Sequence, residues 1–252
     1  IDYLDRALQN YNDAKLDDPI LLYDIRFHRA AACQGLGRFD EAMELFQKNL
    51  EEFPEGLLTE DERLRLHEGI GQLYQVKGDF PAALKKFNHV LDHYGEDHYY
   101  SACILKSIAT IKFQQGDIDE AEKLYKKAID LTVKEEGENS INVARIYNDL
   151  GALYGSQKQY KLALHYHMES LNIVQLLFGR KHPDVSNSLV NIGTVYLEQG
   201  EVEEALKYLE EDMKLTLELF GEPHRNLGAT YGNLSACYMK MGNIDQAIYY
   251  LD

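Results

Sequence analysis

The chain has 252 residues and a net charge of −16, from 42 acidic against 26 basic side chains, a balance that disfavours nucleic-acid backbones and anionic membranes and favours a neutral or basic partner. No apolar run approaches the ~20 residues needed to span a bilayer, which argues against membrane insertion, and the opening Ile-Asp-Tyr-Leu-Asp-Arg has no basic-then-apolar leader. Cys33, Cys103 and Cys237 are far apart and form no metal or redox motif, so they read as buried free thiols of a reducing, cytoplasmic setting.

Taken in order, residues 1–18 read as the second helix of a hairpin whose first half is absent, with Leu4, Ala7 and Leu8 as its apolar stripe. Asp17, Asp18 and Pro19 make a turn into a helix carrying Tyr23 to Leu36. Ala30, Gly37, Phe39, Ala42, Phe46 and Pro54 then describe a helix-turn-helix unit over 19–56. After a linker, Thr59, Glu60, Asp61 and Glu62 form a capped helix start, and Ile70, Gly71, Tyr74, Gly78, Phe80, Ala83 and Phe87 repeat the unit over 64–96. Gly69 and Gly71 lie inside this helix and read as a packing pair. Gly95 to Asp97 lead to a helix beginning near His98, and Ile108, Ala109, Gly116, Ile118, Ala121 and Tyr125 give the unit over 101–137.

Three further copies follow at 141–179, 183–221 and 225–252, carried by Tyr147, Leu150, Gly151, Tyr154 and Ala163, by Leu189, Ile192, Gly193, Tyr196, Ala205 and Leu209, and by Tyr231, Leu234, Ser235, Tyr238, Gly242, Ala247 and Leu251. Ala121, Ala163, Ala205 and Ala247 are spaced by 42 residues. That period is long because the second helices run on to Val133, Phe178 and Phe220 before Gly137, Gly179 and Gly221 stop them. Proline or a polar cap then starts the next helix, as in Lys181-His182-Pro183-Asp184 and Pro223-His224-Arg225-Asn226. Gly193 and Ala205 carry almost no side chain, so their helices can cross closely with Tyr196 and Leu209 filling the flanks. A hairpin of this kind cannot bury its own face, and stacked copies can, which predicts an all-α solenoid. Both ends fall inside a repeat, so the chain reads as a piece of a longer array.

These spacings resemble the tetratricopeptide signature, in which W-x2-L-G-x2-Y is followed by A-x3-F and P. The resemblance implies a right-handed α-solenoid and a protein-binding scaffold or adaptor. Residues 141–252, with Phe178-Gly179-Arg180-Lys181-His182-Pro183-Asp184-Val185, are similar to the longer repeats of kinesin light chains; the His-Pro pair is complete once, inverted at Pro223-His224 and missing before Ile141.

No enzyme chemistry is legible. His67-Glu68 lacks a second histidine at zinc-protease spacing, and His165 and His167 face different sides of one helix. No catalytic set, metal site or cofactor site is expected. What remains is the concave groove that first helices line in such arrays. The candidate binding residues, offset from the packing stripe, are Arg145, Asn148 and Asp149, then Asn187, Asn191 and Thr194, then Asn233 and Lys240, with small Ala152, Gly232 and Ala236 beside them. In the resembled families an asparagine at the place shared by Asn191 and Asn233 bonds the backbone of an extended peptide, since an amide both donates and accepts. A carboxylate clamp is disfavoured, because Arg65, Lys106 and Arg145 are spread over three repeats. The expected function is a non-enzymatic scaffold taking a peptide or protein segment in the groove. The alternatives are a regulatory module that folds onto another domain of its own chain, and self-assembly through an exposed repeat edge.

Overall fold

The computed structural model describes residues 2–14, 16, 18–53, 56–221 and 227–251. Asp17, Pro54 and the Pro223 to Asn226 stretch, invoked above, lie outside the described residues. Among those described, thirteen helices and no strand are found, and the contacts cluster into two units, residues 1–111 and 112–252.

The first unit is built from α1 (Asp2–Asp13), α2 (Pro19–Gly35), α3 (Phe39–Glu52), α4 (Glu60–Val76), α5 (Phe80–Tyr94) and most of α6 (Ser101–Gln114). Local chemistry explains the boundaries. Asp18 accepts a hydrogen bond from the Leu21 backbone N–H at 3.1 Å, with Pro19 in the first turn of α2. Thr59 and Glu62 form a reciprocal capping box at the start of α4, satisfying two N–H groups that the helix cannot. The helix expected near His98 starts instead at Ser101. The His98 ring and carbonyl accept the Tyr100 and Ser101 N–H groups and hold those three residues in a turn.

Gly69 and Gly71 sit on opposite faces of α4, and each faces an aromatic ring from a flanking helix. A methyl group placed on Gly69 would lie 2.8 Å from the Phe46 ring, and one on Gly71 2.7 Å from the Phe87 ring. Glycine is what lets α4 seat between α3 and α5 with both rings buried. Cys33 is buried as expected, but Cys103 is exposed at the start of α6, where its thiol donates to the Tyr100 carbonyl at 3.1 Å. Ser101, Ala102, Ile104 and Leu105 on either side of it are buried, so position 103 lies on the other side of the helix and apolar company in sequence does not enclose it.

The second unit contains α7 (Ile118–Glu136), α8 (Ile141–Ser156), α9 (Tyr160–Phe178), α10 (Pro183–Gln199), α11 (Val202–Phe220), α12 (Leu227–Lys240) and α13 (Ile244–Tyr249). The three complete second helices, α7, α9 and α11, are each 19 residues long and end at Gly137, Gly179 and Gly221. Those glycines have φ of +83°, +75° and +71°, which a side chain would strain. The 42-residue period also shows in the rings. Tyr154 stacks on Tyr166, Tyr196 on Tyr208 and Tyr238 on Tyr250, with centroids 5.5, 5.6 and 5.7 Å apart. Gly71, Ala109, Gly151 and Gly193, the small residues expected inside, are all buried.

Candidate functional site

The first helices α8, α10 and α12 carry all eight candidate binding residues, and the structure divides them by what their side chains already hold. Asp184, in the first turn of α10, accepts from Arg145 of α8 at 3.2 Å and from Asn187 at 3.3 Å, so two of the eight converge on one carboxylate. Asn233 of α12 donates to the Thr194 hydroxyl of α10 at 2.9 Å, and Thr194 in turn donates to the Val190 carbonyl. The Lys240 ammonium donates to the Leu197 carbonyl near the end of α10 at 2.7 Å. These contacts join consecutive first helices.

Asn148 is half-buried and turned inward. Its amide nitrogen donates to the Ser188 hydroxyl of α10 at 3.1 Å, and its oxygen lies 2.9 Å from Nδ1 of His167 on α9. An amide oxygen only accepts, so Nδ1 of His167 carries the proton. That histidine is 2% exposed, and burial pulls its pKa down to about 4, leaving it neutral. Ser170 completes the group against Ser188. Asn148 thus lies in a polar junction of three helices.

Asn191 differs from the rest. It is half-buried on α10, its side chain makes no hydrogen bond among the described residues, and it shares a register with Asp149 one repeat before and Asn233 one repeat after. Ala152, Ala229 and Gly232 are exposed on the neighbouring helices, so the surface beside this amide carries little side-chain bulk.

Sequence reasoning missed His167 and Asp212. Asp212 is 1% exposed on α11 and accepts from Ser186 of α10, Thr216 of α11 and Thr230 of α12. The signal was available in the 42-residue register. His167 falls in the column of Tyr125 and Leu209, and Asp212 in that of Ala128 and Ser170. A lone polar or charged residue in a buried column requires partners from the facing helices.

Among the described residues no group of histidine, cysteine, aspartate and glutamate is arranged to hold a metal, and no helix is long and apolar enough to cross a membrane. Paired helices that repeat at fixed register, each supplying one residue to a common face, define a helical-repeat protein. The chain belongs to the tetratricopeptide-repeat family, one model of which matches residues 100–175, 142–215 and 184–252 and a second residues 25–48. No curated protein matches it. Among solved structures, BtubC from P. vanneervenii is similar at 20% identity, with a TM-score of 0.66 over 99% of this chain and 86% of that one. A putative kinesin light chain of Podosopora anserina, built of nearly identical repeats, is similar at 18% identity, with a TM-score of 0.58 over 81% and 99%. NprR, solved with its cognate peptide NprX, is similar at 16% identity, with a TM-score of 0.71 over 98% and 69%. At these identities the likeness establishes the fold.

Proposed function

We propose that this protein is a non-enzymatic scaffold that takes an extended or helical peptide segment on the first-helix face of α8, α10 and α12. The observation that carries the reading is Asn191. It is an amide left without a partner in the middle of a column whose neighbours are engaged, flanked by small exposed residues that leave room for a ligand's side chains. One amide can donate to and accept from the backbone of a peptide at once. Asp149, Asn187, Thr194, Asn233, Arg145 and Lys240 form the polar surround, and Asn148 acts behind it by fixing α8 to α10. The peptide-bound structure of NprR, which shares the fold, supports a peptide as the ligand class. The excess of acidic residues favours a neutral or basic segment.

A peptide selected from a displayed library against the chain supplies the probe, and calorimetry supplies the affinity. Asn191→Ala should weaken binding by about 0.5 to 1.5 kcal/mol for a lost net hydrogen bond, while changing stability by no more than roughly 0.5 kcal/mol. Undiminished affinity would move the binding surface off this face.

A further inference from the structure

In the first unit, α4 and α5 frame a basic cleft of about 680 Å³ lined by His67, Leu84, Lys85, Lys86 and His89, among others. The Lys86 ammonium lies 3.2 Å from Nδ1 of His67, and the His67 and His89 rings pack edge to face with centroids 4.4 Å apart. Several basic side chains elsewhere meet carboxylates, as Lys77 meets Asp40, Lys126 meets Glu122 and Lys181 meets Glu218. Here, among the described residues, the hydrogen-bond partner of Lys86 is a histidine ring. In a chain with 42 acidic residues against 26 basic ones, a cleft lined by two lysines and two histidines goes against the general composition. Asp92 is the one acidic residue of the lining.

The electrostatic cost is visible in the groups themselves. Burial, then the charges of Lys86, His89 and Arg63, pull the His67 pKa down to about 4, and burial followed by Lys85 lowers that of Lys86. An anion in the cleft would relieve both. The donors are an ammonium and an imidazole of α5 and an imidazole of α4, while Arg63 is turned to the Phe53 carbonyl at 3.2 Å. An ammonium meets a phosphoryl group as a point charge, and a phosphate dianion, with more charge and more acceptor oxygens than a carboxylate, gains more from several single-point donors.

We infer that the cleft between α4 and α5 is a binding site for a phosphate monoester, held by Lys86, His67 and His89 with Lys85 at its mouth. This site is independent of the peptide-binding face and stands or falls separately. The test follows the ring C–H resonances of His67 and His89 in the full chain as inorganic phosphate, a phosphoserine peptide or acetate is added at constant pH and ionic strength. The expected result is a saturable shift with phosphate and little with acetate, lost in Lys86→Gln and weakened in His89→Gln, both of which should retain the wild-type melt. Similar affinity for inorganic phosphate and the phosphopeptide assigns the site to a free phosphate compound; a gain of about tenfold for the phosphopeptide assigns it to a phosphorylated segment. An equal response to acetate, a response without saturation, or a shift that survives Lys86→Gln in a folded protein overturns the inference.

Discussion

Two helix crossings in the second unit occupy the same register and are closed by different chemistry. Where α8 meets α9, Gly151 lies under His167, and a methyl group on that glycine would stand 2.5 Å from the ring; where α10 meets α11, Gly193 lies under Leu209, and a methyl group would stand 2.7 Å from its Cγ. Leu209 is wholly buried among apolar neighbours including Leu234 and Cys237. His167 is as deeply placed but is anchored by Asn148, which is itself tied to Ser188. The backbone demand is thus common to both crossings, and the filling side chain can be apolar and self-sufficient or polar and dependent on partners from other helices. The first kind contributes stability through burial; the second also fixes which neighbour the hairpin accepts, because the hydrogen bonds form in one register only.

The largest effect should come from emptying the apolar crossing. Leu209→Ala should cost roughly 2 to 5 kcal/mol, the range for truncating a buried leucine, as read from denaturant midpoints. A loss below 1 kcal/mol would mean that this crossing collapses freely.

Acid should distinguish the two crossings next. The His167 pKa is lowered to about 4 in the folded chain from 6.5, so between these values the unfolded chain binds a proton that the folded chain refuses. The stability held at His167 is therefore fully present above pH 6.5 and lost as the pH falls toward 4. At 1.36 kcal/mol per unit the loss is about 3 kcal/mol. Denaturation midpoints over that range should fall less steeply in His167→Gln than in the parent; equal slopes would show that His167 takes up its proton without unfolding.

Smaller still is the effect of crowding each glycine. Gly151→Ala and Gly193→Ala should each cost about 1 to 3 kcal/mol from overpacking, with Gly151→Ala the worse, since moving the ring also strains the bond to Asn148. Melts in which Gly193→Ala is the more damaging would place the rigidity in the Ala205 carbonyl, 3.3 Å from where the added methyl would stand, and not in the histidine junction.

The sequence made the repeats readable because helix crossings demand small residues at fixed spacing, and Gly71, Gly151 and Gly193 report that demand directly. It made the helix stops readable because Gly137, Gly179 and Gly221 adopt a backbone angle that glycine alone takes easily. The face was less legible. Asn148, Asn191 and Asn233 look alike as letters, and only coordinates show that the first is bound to His167 and Ser188, the third to Thr194, and the second to neither. A side chain's choice between ligand and neighbour depends on distances between helices that are 40 residues apart in the chain. The start of α6 was misplaced by three residues because His98 offers its ring and carbonyl to the following N–H groups, a local bond that helical periodicity does not encode.

The column formed by Asp149, Asn191 and Asn233 has a metric consequence. Direct bonds between α8 and α10 and between α10 and α12 put neighbouring first helices about 8 to 10 Å apart, the ordinary packing distance. An extended strand advances ~3.3 Å per residue, so a peptide laid across the column would meet one of these positions roughly every third residue. A peptide bound as proposed would be read with a stride, some side chains sampled and the two between passed over. Inserting a single residue between two sampled positions would throw every later position out of step, whereas changing the residues passed over would go almost unnoticed.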